Sequence, residues 1–285
     1  MEVISGAKAL IEATAVTLGN FDGLHLGHLK LINRLIDLAN KINGKSLVYV
    51  IEKENMEKIM TREQKVCALD ALGVDYVVFR KFSKEFKNIK AEDFLKELKD
   101  KFNVSAAVVG DDYRFGKDRQ GNITSFKKFF EVDVVERVDD VSSTKIRDLI
   151  QQGDVFSANE LLGWEFCIEG KVMEGLKNGR KIGFKTANIT KPVGMIIPKV
   201  GVYRTRTKYN DMVYDSITNI GTNPTIGSIN YKSIETNIFD FDEDIYGKRI
   251  AVKFLERIRG ERKFGSIEDL AQQINQDVKK IREGK

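Results

Sequence analysis

The sequence predicts an α/β protein that combines an N-terminal domain with a parallel sheet and a smaller C-terminal antiparallel β-barrel closed by one helix. In the first half, short apolar runs alternate with amphipathic helical patterns, which is typical of βαβ units. From Glu165 to Ile258, short strand patterns follow one another with turn residues between them, which favours a small barrel. All three prolines of the chain lie in this second part.

The first half contains five predicted strands and three main helical segments. The strands cover residues 15–18, 46–51, 76–79, 106–109 and 132–135, and two of the helices cover residues 62–72 and 91–102. The earliest helix has an apolar face formed by Leu31, Ile32, Leu35, Ile36, Ala39 and Ile42. This order predicts a Rossmann-like domain. Ligands of such sheets bind at the carboxyl ends of the strands, where residues 19–28 and 110–116 are expected to lie.

The second half is predicted to contain five strands and a closing helix. The strands cover residues 165–173, 201–207, 212–221, 233–241 and 249–258. Ser266 is a candidate N-cap of the closing helix. The apolar stripe of that helix is formed by Leu270, Ile274, Val278 and Ile281. A short linking helix that ends at Gly163 separates the halves, so we expect domains of residues 1–158 and 159–285.

The composition is that of an ordinary globular protein, with 42% hydrophobic and 31% charged residues among 285. The net charge of +5 suits a phosphorylated small molecule and argues against a nucleic-acid partner, which needs a dense basic stripe. The chain contains neither an apolar run long enough for a membrane span nor a secretory pattern at its start. Cys67 and Cys167 are expected to be small core residues in a reducing compartment, which predicts a cytoplasmic protein.

The two histidines of the chain, His25 and His28, stand three residues apart in the segment GNFDGLHLGHLK. This segment directly follows a predicted strand and directly precedes a predicted helix. Its glycines, including Gly19 and Gly27, allow tight turns, and the helix start offers free N–H groups. Imidazoles at such a helix start make a good phosphate site. The alternatives are a pair of surface histidines and a metal site, for which two histidines are few ligands.

A second polar segment, VSSTKIRDLI, covers residues 141–150. Ser142, Ser143 and Thr144 supply hydroxyls at a predicted helix start, while Lys145 and Arg147 supply cations. Together these groups suit a polyphosphate chain held by charge-assisted hydrogen bonds. The alternative is a helix cap followed by solvated charges.

GNFDGLHLGH and SSTKIR resemble the two defining motifs of the nucleotidylyltransferase superfamily. Residues 108–122 are similar to the flavin-side loop of bacterial FAD synthetases, and residues 179–189, 219–227 and 233–247 are similar to riboflavin kinase segments. From end to end, the chain resembles the bifunctional bacterial riboflavin kinases/FAD synthetases. The resemblance implies ATP-dependent phosphorylation of riboflavin to FMN, followed by adenylylation of FMN to FAD with release of pyrophosphate.

The resemblance also implies roles for individual residues. His25 and His28 would stabilise the α-phosphoryl group of ATP, Arg147 would hold the leaving pyrophosphate, and Glu235 would be the base of the kinase reaction. Further nucleotide-binding residues would be Gly19, Asn20, Phe21, Asp22, Gly27, Ser142, Ser143, Thr144, Gly183, Thr186 and Asn188. Flavin-binding residues would be Gly110, Asp112, Tyr113 and Phe115. The required metal would be Mg²⁺, held by Thr186 and Asn188, and the loop over the nucleotide would be shaped by Gly175, Gly179 and Gly183.

The chain departs from the family at two places. Lys185 stands where family members usually have a proline before Thr-Ala-Asn, and the segment VYVIEKENMEKIMTREQKV lacks the usual prolines and histidine. Two alternative functions therefore stay open. One is that only one of the two activities is retained. The other is a flavin-sensing or nucleic-acid-binding regulator that reuses the fold without turnover.

Overall fold

The computed structural model describes residues 1–5, 9–54, 56–174, 185–224, 230–262 and 264–283. The chain forms two compact units, Met1–Ser142 and Ser143–Lys285. The predicted glycines Gly175, Gly179 and Gly183 lie outside the described residues. Within the described residues, no helix is long and apolar enough to cross a membrane.

The first unit is built on a six-stranded parallel sheet with the strand order β1-β4-β3-β2-β5-β6. The strands are β1 (Glu2–Ile4), β2 (Thr14–Gly19), β3 (Lys45–Glu52), β4 (Tyr76–Lys81), β5 (Val104–Gly110) and β6 (Glu131–Val135). The helices are α1 (Leu26–Lys41), α2 (Arg62–Ala71), α3 (Lys84–Lys87), α4 (Ala91–Phe102) and α5 (Ile123–Lys127). The chain crosses from β4 back to β5 on the far side of β2, so the order reverses between β2 and β5. This reversal is the place where doubly wound sheets bind ligands.

Local sequence explains where the helices of this unit begin and what they bury. Thr61 and Gln64 form a reciprocal capping box at the start of α2. The amphipathic helix α4 ends where Asn103 adopts a left-handed conformation with φ 47°. Its buried side chains are Phe94, Leu95, Leu98 and Phe102. They join an apolar cluster with alternate residues of β2, β3 and β5, and this cluster forms the core on one face of the sheet.

The second unit begins with α6 (Ser143–Gln152) and α7 (Val155–Leu162), which precede a closed six-stranded antiparallel barrel. The barrel strands are β7 (Cys167–Met173), β8 (Ala187–Ile189), β9 (Gly201–Tyr209), β10 (Met212–Pro224), β11 (Asn230–Ile238) and β12 (Arg249–Arg259), in the order β10-β11-β8-β7-β12-β9. The last helix, α8 (Ile267–Arg282), has Ser266 as its N-cap. Asn159 fastens α7 to the barrel, because its amide nitrogen donates to the carbonyl oxygen of Phe254 over 2.8 Å.

The predicted fold class is confirmed, since a parallel α/β sheet is followed by a small antiparallel barrel and a C-terminal helix. The sequence patterns missed the short elements β1, α3, α5 and β8. The expectation that Cys67 is a core residue is wrong, because it lies on the exposed face of α2, whose buried residues are Lys65 and Leu69. Cys167 is buried as expected. The domain boundary between residues 158 and 159 stays a prediction.

Candidate functional sites

The turn between β2 and α1 has a strained backbone. Phe21 and Leu24 adopt left-handed conformations with φ of 49° and 40°, and Gly23 has φ 84°. Left-handed conformations are unfavourable for side chains larger than that of glycine and are concentrated at functional sites. Phe21 and Leu24 are almost fully buried, so packing holds this conformation in place. The turn directly follows the carboxyl end of β2, as the sequence predicts.

His25 and His28 form a stacked pair at the start of α1. Their ring centroids are 3.6 Å apart with an angle of 18° between the planes. His25 is the N-cap, and its Nδ1 accepts a hydrogen bond from the backbone N–H of His28 over 3.4 Å. A side chain at Gly27 would lie 3.3 Å from the ring of His25, so glycine leaves room for the imidazole. The predicted pairing of the two histidines at a helix start is therefore present.

Burial keeps both imidazoles neutral. It lowers the pKa of His25 from 6.5 to about 4. Burial also lowers the pKa of His28, and the nearby His25 and Lys65 add to this effect. Because Nδ1 of His25 accepts a hydrogen bond, the proton of the neutral ring is on Nε2. Nδ1 of His28 is buried and has no hydrogen-bond partner among the described residues.

Asn20 and Asp22 are held by the segment that follows β3. Asp22 is buried, and its Oδ1 accepts from the backbone N–H of Ile59 over 3.0 Å. The side-chain amide of Asn20 lies 3.8 Å from the sulfur of Met56. The ammonium of Lys65 donates to the carbonyl oxygen of Asn20 over 2.8 Å. Sequence patterns did not identify Lys65, because a lysine in an amphipathic helix is usually a solvated residue.

The second polar segment lies where the sequence predicts a helix start, since α6 begins at Ser143 directly after Ser142. The guanidinium of Arg147 donates to the hydroxyl of Thr144 over 3.3 Å. Ile146 and Ile150 are fully buried and anchor the opposite face of the helix.

The four predicted flavin-binding residues lie in different environments. Gly110 ends β5, and Asp112 is exposed and pairs with Arg137 over 2.8 Å. Phe115 is buried in the core cluster and stacks on Tyr113 with 6.0 Å between ring centroids. The hydroxyl of Tyr113 is buried without a hydrogen-bond partner among the described residues. Tyr113 and Phe115 therefore form a stacked aromatic pair after the end of β5, with Phe115 in the core and Tyr113 half-buried.

In the barrel, the strand register brings Glu235 between two asparagines. Glu235 on β11 pairs directly with Asn188 on β8 and with Asn219 on β10. Directly paired residues project from the same face of a sheet, so the three polar side chains share one face. Burial raises the pKa of Glu235. Sequence patterns missed Asn219, because only the register reveals that it lies opposite Glu235.

A pocket beside Thr186 is lined by the chain neighbours of Asn188 and Glu235 on β8 and β11, but not by Asn188 and Glu235 themselves. Thr186 lines it together with Lys185, Ala187 and Thr236. The other lining residues are Val172, Ile238, Phe241, Glu243, Asp244, Ile245 and Tyr246. The ammonium of Lys185 forms a salt bridge with Asp242, next to the pocket. Lys185, which stands where family members usually have a proline, is thus paired with a neighbouring carboxylate.

Comparisons with known protein families match both parts of the chain. The model of the FAD synthetase family matches residues 7–148, and the model of the riboflavin kinase family (flavokinase) matches residues 162–284. The two matched ranges together cover most of the chain.

Similar proteins cover nearly the whole chain. The bifunctional riboflavin kinase/FMN adenylyltransferase of Bacillus subtilis is 34% identical, over 93% of this chain and 90% of that protein. The Escherichia coli K12 protein of the same name is 33% identical, over 99% and 97%. A crystal structure of a Streptococcus pneumoniae protein described as a macrolide-efflux protein is 30% identical and covers 98% of both chains with a TM-score of 0.92.

Proposed function

The chain belongs to the family of bifunctional riboflavin kinases/FMN adenylyltransferases, and we propose which of its residues carry each of the two reactions. It phosphorylates riboflavin with ATP to give FMN, and it transfers the adenylyl group of ATP to FMN to give FAD and pyrophosphate. The assignment of residues is supported by the stacked imidazole pair in the first unit and by the register of Glu235 in the barrel.

In adenylyl transfer, a phosphate oxygen of FMN attacks the α-phosphorus of ATP, and the bond to the pyrophosphate oxygen breaks. Negative charge grows on the α-phosphoryl oxygens. Neutral His25 carries its proton on Nε2, so it can donate a hydrogen bond to such an oxygen without a prior proton transfer. The imidazole of His28 is assigned the same role, and it lies in the first turn of α1, where the positive end of the helix dipole favours the anion. Asn20, Phe21 and Asp22 form the turn that orients the nucleotide, with Gly19 and Gly27 giving it room.

The leaving pyrophosphate is assigned to the start of α6. Ser142, Ser143 and Thr144 bring hydroxyl groups to this helix start, and Arg147 brings a guanidinium that already bonds to Thr144. Charge-assisted hydrogen bonds of this kind stabilise a developing polyphosphate anion. No covalent enzyme intermediate is required, because in-line positioning and electrostatics supply the rate enhancement.

In riboflavin phosphorylation, Glu235 takes the proton of the ribityl 5′-hydroxyl as that oxygen attacks the γ-phosphorus of ATP. Its half-buried environment raises the pKa of the carboxylate, which strengthens it as a base. Asn188 and Asn219 flank Glu235 on the same face and are placed to orient the alcohol or the phosphates. The pocket beside Thr186 is the candidate place for the nucleotide.

Thr186 and Asn188 fit the role of Mg²⁺ ligands, because a hydroxyl and an amide carbonyl are oxygen donors and stand just before β8 and at its middle residue. The described residues contain no group of three His, Cys, Asp or Glu side chains that could enclose a metal ion. When bound, Mg²⁺ would neutralise charge on the transferring phosphoryl group.

Gly110, Asp112, Tyr113 and Phe115 are proposed to contact the flavin of FMN. Tyr113 supports this role, since its ring is half-buried and stacks on the buried Phe115, and a flavin ring can pack against an aromatic side chain held in this way. The partners of the enzyme are thus ATP, riboflavin and FMN.

A time course from riboflavin, ATP and Mg²⁺ with separate measurement of FMN and FAD tests these assignments. His28→Ala should slow FAD formation about 100-fold or more and leave FMN formation unchanged, because one stabilising donor is lost. Glu235→Ala should slow FMN formation about 100-fold or more and still convert added FMN to FAD. If either substitution abolishes both reactions in a folded protein, the division of roles is wrong. A protein with only one activity would stop at FMN or would use only added FMN.

A further inference from the structure

The first unit contains a buried ammonium group that the assigned mechanism does not use. The side chain of Lys65 is on the buried face of α2 and is only 6% exposed. Its Nζ donates to the carbonyl oxygen of Asn20 over 2.8 Å. Burial of a charged group is costly unless the protein supplies partners for it. A lysine kept in such a place is therefore expected to serve the group that it contacts.

Lys65 belongs to a segment, residues 56–65, that contacts the turn between β2 and α1 through Met56, Ile59 and Lys65. Besides the bond to Asn20, this segment supplies the backbone N–H of Ile59, which donates to Asp22 over 3.0 Å. Ile59 itself is fully buried, so the contact is not a solvated surface contact. Two residues of the strained turn are thus tied to the start of α2 and the residues before it. These contacts oppose relaxation of the left-handed conformations in the turn.

The charges around Lys65 also connect it to the imidazole pair. Asp22 and Glu52 attract its ammonium, while Lys58 repels it. Burial lowers the pKa of Lys65 to about 8, so at pH 7 the group is still charged. Its positive charge disfavours a second proton on His28, and His25 acts in the same direction. The lysine therefore favours the neutral form of His28.

We propose that Lys65 is a positioning residue for adenylyl transfer, which holds the carbonyl group of Asn20 and thereby fixes the turn that carries the imidazole pair. The proposal rests on the assignment of the His25–His28 turn to that reaction. The ammonium keeps the turn in the conformation that presents the imidazoles to the α-phosphoryl group. Its charge also adds to the burial that keeps His28 neutral. The segment that lacks the family's usual histidine thus contributes a buried cation to the same turn.

The test compares Lys65→Met with Lys65→Arg, and Lys53→Met serves as the matched control because Lys53 is an exposed lysine that follows the end of β3. Both reactions are measured on each variant, so the kinase reaction is an internal control in the same chain. We expect Lys65→Met to lower kcat for FAD formation from FMN about 100-fold, as misplacement of a catalytic turn does. FMN formation should stay within about twofold of the wild type, and Lys53→Met should change neither reaction.

Ring signals of the histidines in NMR spectra provide a readout that a purely structural role would not change. The chain has two histidines, so His25 and His28 each give one set of signals. We expect Lys65→Met to raise the pKa of His28, because a repelling charge is removed. Lys65→Arg keeps the charge, so it should leave that pKa near the wild-type value and retain more activity than Lys65→Met.

Three outcomes would overturn the proposal. One is FAD formation by Lys65→Met within twofold of the wild type, and another is an equal loss of both reactions. The third is an unchanged pKa of His28 with equal losses in Lys65→Met and Lys65→Arg. His28→Ala is assayed alongside. If it retains FAD formation, the assignment of the imidazole pair is wrong; if only Lys65→Met retains FAD formation, the role of Lys65 alone is wrong.

Discussion

Burial of the imidazole pair has two effects. It keeps both rings neutral, and it makes the stability of the fold depend on pH. A neutral stacked pair avoids the repulsion that two imidazolium rings would suffer at a centroid distance of 3.6 Å. The same burial means that protonation of either ring opposes the folded state. The two histidines that are assigned to phosphate binding should therefore also limit how far the protein tolerates acid.

We expect the first unit to lose stability as the pH falls below 6.5. The pKa of His25 is about 4 in the folded protein and 6.5 as a free side chain, so the unfolded chain binds this proton more tightly. The stabilisation is complete above pH 6.5 and is lost between pH 6.5 and 4. The loss is up to about 1.4 kcal/mol per pH unit for one group. Urea unfolding followed by circular dichroism at pH 7.5 and 5 measures it.

His25→Gln is the control for this prediction, because glutamine does not titrate in that range. The variant should lose less free energy of unfolding between pH 7.5 and 5 than the wild type does. Equal losses in the two proteins would show that the imidazole does not carry the effect.

At the scale of single residues, the sequence predicted the position of the imidazole pair but not its state. The glycine pattern and the strand-to-helix context placed His25 and His28 at the sheet edge. Stacking and lowered pKa values depend on burial by distant residues, which no local pattern encodes. Local patterns did not identify Lys65 either, because its partner Asn20 is 45 residues away in the chain.

At the scale of elements, the main strands and helices were predictable and the register was not. Periodicity located α4 at its observed limits, residues 91–102, because a strongly amphipathic segment buries one stripe. Strand β8 has three residues, too few for a pattern to reveal it. Yet β8 supplies Asn188 opposite Glu235, so the barrel site depends on a pairing that the sequence alone does not specify.

The interior of the barrel is a second feature that the sequence did not predict. Five hydroxyl side chains are fully buried there: Thr205, Thr207, Ser216, Thr218 and Thr236. They bond to one another over 2.7–2.8 Å. In β9, threonine alternates with arginine, so both faces of the strand are polar. The sequence therefore predicted a strand but did not show which face points into the barrel. Mutual hydrogen bonds make such a polar interior tolerable.

The closing helix α8 is expected to depend on one buried ion pair. Asp277 is 4% exposed and accepts from Arg259 over 2.9 Å and 2.8 Å. Asp277→Ala would leave the guanidinium of Arg259 without this partner in a nearly dry site. We expect a loss of about 3 kcal/mol in the free energy of unfolding of the second unit. Fluorescence of Trp164, the single tryptophan, reports this unfolding in urea.

The exposed pair of Lys279 and Glu283 on the same helix is the control. Its atoms are 3.8 Å apart, and Glu283→Ala should cost less than about 0.5 kcal/mol because water screens the charges. If Asp277→Ala lowers the free energy of unfolding no more than Glu283→Ala does, then the buried pair does not stabilise the packing of the helix.

At the scale of the whole molecule, the sequence predicted two parts with separate chemistries, and two compact units are present. The compact units divide between Ser142 and Ser143, so α6 and α7 belong with the barrel by their packing. The boundary that the sequence predicts, between residues 158 and 159, lies 16 residues later and stays a prediction. The two family models leave residues 149–161 between their matched ranges.

Separate sites for the two reactions predict that two inactive variants should complement each other in a mixture. His28→Ala should convert riboflavin only as far as FMN, and Glu235→Ala should make FAD only when FMN is supplied. FMN that is released by one molecule after the first reaction can bind to another molecule. A mixture of the variants should therefore form FAD from riboflavin and ATP after a lag in which FMN accumulates. The lag should shorten when more His28→Ala protein is added. If Glu235→Ala uses added FMN but the mixture yields no FAD, then FMN does not pass freely between molecules, and the two reactions must be coupled within one chain.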